Sequence, residues 1–434
     1  MIGLFQNYWD VLGQEISGLQ LAFAGSFAEI FQSIVVYAYA MSILWTLTSL
    51  IYWVRSRRRT PIADDHFTRN YTVLIPFHGE PLAALRSAAS LASVTPQPDK
   101  IILIDDGSIS GMPAGTVLPQ RAMLLKLRQR RGKAGALNVA LRNVTSEIVV
   151  CIDADTQVRS VDWRRMLASF DDPSLGAVTG KIWPVAVRSI IGRFQTLDYL
   201  AVITVIKAAE TIWGGLLTVS GAFVAYRRTA LKSAGGWRED KAAEDIDMSW
   251  RMQCAGWRLA FDDTWTCAVE MAPTIPALWR QRQRWSSGLG QALRDYGPQA
   301  ILQGARHLPV VVISIANLFW IASMLFLAST AIYQLVSSVW PGGGLPVSFE
   351  IVWAAQIGLF LFTFQFVSAM LIDGRSWRSY IGLIPYLPFY ALYFWSILLS
   401  SFLSGFPKGL IRKKLGVWQP TVRQQTLDKK GLVS

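Results

Sequence analysis

Uncharged stretches long enough to cross a bilayer lie toward both ends of the chain, and a polar, mixed middle separates them. Ile30 to Val54 carries no charge and is closed by Arg55, Arg57, Arg58 and Arg59. Leu308 to Phe349 is again uncharged, broken by Trp340-Pro-Gly-Gly-Gly-Leu-Pro346. A helix of about 20 apolar residues crosses the hydrocarbon core. The pattern therefore predicts one span over 30–54 and three more over Pro309–Val336, Ile351–Ile372 and Ser379–Ser404. Residues before Glu29 are less apolar and are interrupted by Asp10 and Glu15, which leaves two readings, an interfacial helix or a poor extra span. The run starts late and lacks a small-residue cleavage site, so a removable signal peptide is not expected. The arginine cluster places the end of the first span, and the middle domain after it, in the cytoplasm. The loop at Gly343 lacks Lys and Arg and is expected outside, with Asp373–Arg378 returning inside. Counting spans puts the tail outside, whereas Lys408, Arg412, Lys413 and Lys414 favour the inside; Pro385 and Pro388 offer a bend into a re-entrant path.

Within the middle the period changes. Tyr71–Ile75, Ile101–Ile104 and Ile148–Ile152 are short runs rich in Ile and Val, each followed by loop residues, and predict buried strands. Pro81–Leu91 and Ala134–Leu141 have helical composition. Strands alternating with helices predict an α/β domain with a mostly parallel sheet. The expected organisation is a membrane region over 1–54, the α/β domain over 55–274, amphipathic interfacial helices over 275–307, three spans over 308–404 and a basic tail over 405–434.

Composition sharpens this picture. Of 434 residues 52% are hydrophobic and 16% charged, and mean hydropathy is +0.31. That excludes a disordered chain and makes an entirely soluble one a poor reading. Only 3 Cys, all in the polar middle, exclude a disulfide scaffold and point to a reducing compartment. The net charge of +13 suits anionic lipid and nucleotide phosphates; nucleic acid is not expected, because the basic clusters flank spans and no recognised module is visible.

Ligands of parallel sheets bind beyond the carboxyl ends of the strands, and acids gather there. The first strand is followed by His78-Gly79-Glu80, the second ends in Asp105-Asp106-Gly107-Ser108 and the third in Asp153-Ala154-Asp155. Asp and Gly make good turns on their own account. Three neighbouring acidic tips would repel, however, unless a cation shares the site. Asp-x-Asp offers oxygens suited to Mg²⁺ or Mn²⁺ completed by waters and substrate phosphates.

The ordered set IPFHGE, IDDGS, RGKAGALN, DAD, SGAF, EDID and QRQRW resembles the membrane-embedded family 2 glycosyltransferases, which include cellulose, chitin, hyaluronan and poly-N-acetylglucosamine synthases. The stretches EDIDMSW and LWRQRQRW are most similar to the bacterial poly-β-1,6-N-acetylglucosamine branch. The resemblance implies a GT-A nucleotide-sugar-binding domain inserted between transmembrane helices, in the bacterial inner membrane. It implies Asp106, with Asp105 and Glu80 beside it, at the UDP nucleoside; Lys133 near the nucleotide; and Asp153 and Asp155 as the metal pair, Asp155 more directly. Asp245, with Glu244, becomes the general base. Gln281, Arg284 and Trp285 match the Gln-x-x-Arg-Trp motif for diphosphate and acceptor sugar. Two positions depart from the family: Ala243 stands where Thr often precedes Glu-Asp, and Gly79-Glu80 stands where Asn-Glu is common.

Residue chemistry leaves bland rivals in view. Glu244, Asp245 and Asp247 also suit a helix N-terminus. Lys133, between Gly132 and Gly135, serves either phosphate or a solvated turn. Ser220-Gly221 is either a close approach for a sugar or a bulge. Gln281, Arg284 and Trp285 share one helical face, yet with 18 Trp in the chain an interfacial anchor competes for Trp285, and Arg280, Arg282, Arg284 and Arg294 would serve equally as lipid-facing charge. The function expected is processive, inverting polymerisation of N-acetylglucosamine from UDP-GlcNAc into a β-linked polymer, with export through the spans. The expected partners are the UDP-sugar donor, the growing polysaccharide, the bilayer, a small membrane accessory subunit and periplasmic export proteins. A synthase using another UDP-sugar, a transferase acting once on a lipid carrier, and a transporter or nucleotide-sugar sensor are the competing readings.

Overall fold

The computed structural model describes residues 29, 32–58, 69–160, 162–185, 189–302, 308–339 and 349–411. They divide into two compact units, Met1–Leu44 with Asn317–Leu361, and Trp45–Ala316 with Phe362–Ser434. In the smaller unit the ring of Tyr37 meets Phe319 edge-on at 6.3 Å.

The larger unit is built on eight strands: β1 (Tyr71–Phe77), β2 (Lys100–Asp105), β3 (Ala122–Lys126), β4 (Ile148–Ile152), β5 (Thr156–Ser160), β6 (Leu175–Pro184), β7 (Phe223–Arg227) and β8 (Arg258–Val269). Their order is β3-β2-β1-β4-β7-β6-β8-β5. Strands β1 to β4 pair in parallel, β7 runs antiparallel to β4 and β6, and β6 pairs in parallel with β8. The helices are α1 (Gln32–Arg57), α2 (Pro81–Ala89), α3 (Gly132–Leu141), α4 (Trp163–Ser169), α5 (Ile190–Leu197), α6 (Val205–Trp213), α7 (Arg228–Ser233), α8 (Glu244–Cys254), α9 (Ile275–Leu302), α10 (Leu308–Val339), α11 (Phe349–Asp373), α12 (Tyr390–Tyr393) and α13 (Ser400–Ile411).

The continuous apolar runs in β1, β2 and β4 reflect a sheet buried on both faces. Side chains alternate across it. Leu74, Ile102, Val149 and Val224 join Ala136, Leu137 and Ala140 of α3 and Met248 and Met252 of α8 in one core. Val73, Ile75, Leu103 and Val150 join Ala84 and Ala88 of α2 and Trp163, Met166 and Leu167 of α4 in the other. Two faces of helices thus fix the height of the acidic strand ends.

Among the described residues three helical stretches are long and apolar enough to cross a membrane: Gln32–Arg57, Gln356–Asp373 and Trp377–Ile411. A shorter apolar helix covers Val312–Met324 within α10. The sequence before Glu29, the loop at Gly343 and the residues after Ile411 lie outside the described residues. The last stretch is the least regular. It opens as a 3₁₀ helix over Trp377–Phe389, which contains Pro385 and Pro388, and passes through a π segment over Phe394–Leu399. Proline lacks the N–H of an α-helical ladder, so those two residues disturb regular winding there. The helix also continues beyond Ser404 to Ile411, seven residues into the expected tail.

That end of the chain does not stand apart from the α/β domain. Gly405 and Gly409, one helical turn apart in Gly405-Phe-Pro-Lys-Gly409, lie directly on α9. A Cβ built at Gly409 would come 2.0 Å from the Ser287 carbonyl oxygen, and one at Gly405 would come 2.3 Å from that of Gln283. Small residues four apart permit this backbone contact. Ser287 Oγ donates to Gly405 O (2.9 Å), Arg294 Nη1 to Gly409 O (3.0 Å) and Trp279 Nε1 to Ser400 Oγ (3.0 Å).

Candidate active site

The site is built from the ends of β2 and β4, the start of α3, the turn before β7, the first turn of α8 and the middle of α9. Asp106 follows β2 and is 2% exposed. Its carboxylate accepts from the backbone N–H groups of Arg131 (2.7 Å) and Gly132 (2.8 Å), at the N-terminus of α3. Burial lifts Asp106 above the usual carboxylate range, and these two hydrogen bonds oppose the rise. Asp105 is enclosed; its Oδ1 accepts from Ser108 N at 2.9 Å and shapes the loop that presents Asp106. Gly79 sits at φ +72°, a left-handed turn that donates its N–H to Ser108 Oγ, and Glu80 follows at the start of α2. That backbone conformation favours Gly, which accounts for the departure at this position.

One residue into α3, Lys133 reaches the centre. Its Nζ lies 2.6 Å from Asp153 Oδ1 and 2.9 Å from Glu244 Oε1, and donates to Gly221 O at 3.1 Å. Burial alone would lower the lysine, but Asp153 and Glu244 overcome it and hold the ammonium charged. The solvated-turn reading of Lys133 is thereby replaced, because the side chain is only 9% exposed. Asp153 is pushed up by burial, opposed by Lys133, and raised again by neighbouring Asp155.

Asp245 opens α8. Its Oδ2 accepts from Gly221 N at 3.0 Å and its Oδ1 from Ile246 N at 2.9 Å. A Cβ at position 221 would stand 2.8 Å from Oδ2, so the missing side chain of Gly221 admits the Asp245 carboxylate. The close approach at Ser220-Gly221 is therefore made to Asp245. Burial and Glu244 raise Asp245 above an ordinary aspartate, with Lys133 and Arg284 opposing. Glu244 takes the other direction: burial pushes it up, but Lys133 and Arg284 outweigh that and lower it. The two adjacent acids are thus driven apart, one held ionised and the other with elevated proton affinity.

Helix α9 approaches from the other side. Arg284 Nη1 donates to Ala242 O at 3.2 Å, just before the Glu244-Asp245 pair. Gly288, one turn on, presses against Ala243, whose Cβ lies 2.5 Å from where a Gly288 Cβ would be. The small residue preceding Glu244 is part of this close helix contact. Gln281 and Trp285 are half-buried on the same helix. Trp285 meets Tyr199 edge-on at 6.5 Å, and the Arg282 guanidinium lies 4.3 Å from its ring centroid.

Arg282 was the residue hardest to place from sequence. It is buried, ion-paired to Asp198 Oδ2 at 2.6 Å, and Asp198 accepts from Tyr390 OH at 2.9 Å. Arg284 and Arg294 also point at protein carbonyls, so the lipid-facing reading fails for these three. The available signal was Asp198 itself, an isolated acid in the apolar run Leu197-Asp-Tyr-Leu-Ala-Val, because a lone buried carboxylate demands a partner. A second ion pair, Lys181 Nζ to Asp373 Oδ1 at 2.7 Å, joins β6 to the end of α11.

Comparison with known proteins decides the family. Residues 148–407, more than half the chain, match glycosyl transferase family group 2. The chain is a family 2 glycosyltransferase. Curated relatives of this glycosyltransferase include a poly-β-1,6-N-acetyl-D-glucosamine synthase of Staphylococcus epidermidis, 29% identical over 401 residues, covering 89% of this chain and 96% of that one. The synthase of the same name from Staphylococcus aureus strain COL is 28% identical over 414 residues, 92% of this chain and 99% of that one. Among solved structures, a mannosyltransferase from Pyrobaculum calidifontis superposes with a TM-score of 0.51 at 24% identity, covering 80% of this chain and 99% of that one. That likeness establishes the GT-A-type fold expected from the motifs. The enzyme is a sugar-nucleotide-dependent glycosyltransferase.

Proposed function

We propose that this glycosyltransferase polymerises N-acetylglucosamine from UDP-GlcNAc into a β-1,6-linked polysaccharide at the inner face of the bacterial cytoplasmic membrane. The observation that carries the reading is the buried assembly of Lys133, Asp153, Glu244 and Asp245 beside Arg284 on α9. The sugar and linkage rest on the two synthase relatives, both aligned over about nine-tenths of this chain.

Asp245 takes the proton from the attacking acceptor hydroxyl. Its raised proton affinity suits a base that must hold a proton in the transition state. Glu244 stays ionised against Lys133 and Arg284, which keeps both cations fixed beside the negative charge that develops on the departing diphosphate. Attack opposite the leaving group inverts the anomeric carbon, so an α-linked donor yields a β-linked product. Trp285, braced by Arg282 and Tyr199, offers an aromatic surface for the acceptor sugar, and Asp106 lies at the nucleoside end.

The carboxylates fit a divalent ion in a restricted sense. Among the described residues no three His, Cys, Asp or Glu side chains form a self-sufficient cage. Asp153 and Asp155, one raised by the charge of the other, offer the one or two carboxylates with which Mg²⁺ or Mn²⁺ is usually held together with substrate phosphates. Asp155, with Asp153, would hold the ion, which would neutralise diphosphate charge.

Processive export is supported by the way α9 meets the last apolar stretch. The motif helix and α13 share a glycine-mediated contact, and Arg282 and Tyr390 meet at Asp198. A polymer leaving Trp285 would thus emerge beside membrane helices; a small accessory subunit and periplasmic export proteins belong to the same proposal. Membrane vesicles given a panel of UDP-sugars test the function. The expected product forms from UDP-GlcNAc, is long, and is cut by a β-1,6-specific hexosaminidase. A single sugar extracted with lipid into organic solvent, or a product from UDP-glucose alone, overturns it.

A further inference from the structure

The turn that carries Gly221 is held in an unusual way. Over Leu216–Gly221 side chains accept from five of the six backbone N–H groups, and at Thr218 a side chain donates to the carbonyl instead. Gln253 grips Leu216, accepting from its N–H (3.1 Å) and donating to its carbonyl (2.8 Å). Glu210 Oε2 accepts from Leu217 N (3.0 Å), and Lys207 Nζ donates to Thr218 O (2.6 Å). Ser249 Oγ accepts from Val219 N (2.9 Å) and donates to the backbone carbonyl of Asp245 (2.7 Å). Thr179 Oγ1 accepts from Ser220 N (2.9 Å), and the last N–H, that of Gly221, goes to Asp245 Oδ2 (3.0 Å).

Two of these grips are made by ionisable side chains. Lys207 and Glu210 lie on α6, 6% and 1% exposed. Burial drags Lys207 down to about 8, against the pull of Glu210 and Asp245, and pushes Glu210 up to about 7. Burying an ionisable side chain is costly, and here each is held by a backbone group of the turn, with Glu210 Oε1 buried and making no hydrogen bond among the described residues. A turn is held just as well by neutral groups, as Gln253, Ser249 and Thr179 show here. These two ionisable side chains therefore call for an explanation other than stability, and their position supplies one. They fix Leu217 and Thr218, four and three residues before the glycine whose N–H orients the Asp245 carboxylate and whose carbonyl holds Lys133.

We propose that Lys207 and Glu210 are positioning residues of the transfer step, which hold the turn Leu216–Gly221 so that Gly221 sets the orientation of Asp245 and Lys133. The inference rests on the assignment of Asp245 as the base. It makes α6 a buttress of the site with no side chain touching substrate. Displacing a reacting group by about 1 Å can cost about 100-fold in rate, so a loosened turn acts on turnover before it acts on donor affinity.

The test uses the full chain in membrane vesicles and reads kcat and KM for UDP release from UDP-GlcNAc, with thermal unfolding alongside. Lys207→Met is expected to lower kcat at least about tenfold while KM for the donor stays within about twofold. Lys207→Arg, which keeps a cation for Thr218 O, is expected to recover part of the loss. Glu210→Met, which removes the acceptor for Leu217 N, is read in the same way and serves alone if Lys207→Met does not fold. Wild-type kcat in Lys207→Met or in Glu210→Met overturns the inference. So does a parallel decline of kcat, KM and thermal midpoint that Lys207→Arg does not relieve, since that marks a general structural role. Asp245→Asn is assayed beside them. If it remains active, the base assignment has failed; if it is inactive while the α6 variants turn over normally, only the positioning inference has failed.

Discussion

Substituting Gly409 by Ala is a single-methyl perturbation aimed at the joint between the last helix and the motif helix. The added carbon would stand 2.0 Å from Ser287 O and 2.9 Å from Gln291 N, both backbone atoms of α9. Ordinary carbon contacts begin near 3.5 Å, so the two helices must part by more than about 1 Å or tilt. Neither obstacle is a side chain that can swing away. Overpacking of this kind costs about 1–3 kcal/mol. Its larger effect falls on function, because α9 carries Gln281, Arg284 and Trp285, and a displacement of about 1 Å at a reacting centre can cost about 100-fold. Gly409→Ala in membrane vesicles should lower UDP release from UDP-GlcNAc at least about tenfold, with the protein still inserted and expressed. Gly358→Ala is the control: the same methyl in another apolar helix meets nothing closer than 3.8 Å. If Gly409→Ala matches the wild type, or Gly358→Ala is equally damaged, the helix contact does not position the motif.

Three further outcomes follow from the charges. Lys133→Met strands Asp153 and Glu244 without their cation, and loss of one partner of a buried pair costs about 3–5 kcal/mol. Lys133 is raised above a free lysine, so its contribution is complete below the unfolded lysine value and is lost only as pH rises through the folded one. Near neutrality the variant's deficit should therefore shrink as pH falls and the stranded acids protonate; a pH-independent deficit in thermal unfolding would contradict this. Asp245 must be deprotonated to act, and burial with Glu244 raises it, so the acid limb of the kcat profile should lie above the ordinary aspartate value of about 3.9; a limb at or below that value would remove Asp245 as the titrating base. Asp155→Ala should weaken UDP binding in calorimetry with Mn²⁺ present and leave metal-free binding unchanged, and equal metal dependence in both proteins would reject the metal role.

Much of the fold was legible because its determinants are local. Apolar runs bounded by loop residues marked β1, β2 and β4, and the absence of charge marked α1, α10 and α11. Strand β3, with no buried position, and strands β5 to β8 were not read; β6 and β8 are long, mixed in polarity and defined by non-local pairing around the antiparallel β7. At the site, the residue types at the strand ends and the order of motifs indicated Asp106, Lys133, Asp153 and Asp245, and the structure connects them through Asp106 to the start of α3 and through Lys133 to Asp153 and Glu244. Sequence did not reveal who partners whom. Arg282 looked like any cation of an amphipathic helix, and only the fold brings Asp198, 84 positions earlier, to meet it. Lys207 and Glu210 drew no reading from sequence, and only the fold buries both against a turn. The contact of Gly405 and Gly409 with α9 was hidden because that stretch also satisfies the pattern of a membrane span.

The central claim is that Asp245 removes the acceptor proton in a site whose donor-binding half is separate from it. Asp245→Asn measures this directly, with UDP affinity by calorimetry and sugar transfer from UDP-GlcNAc recorded on the same preparation. The expected result is UDP affinity within about threefold of wild type and transfer reduced by at least about 100-fold, the scale of a lost general base. Transfer at the wild-type rate, or loss of UDP binding together with transfer, would contradict it.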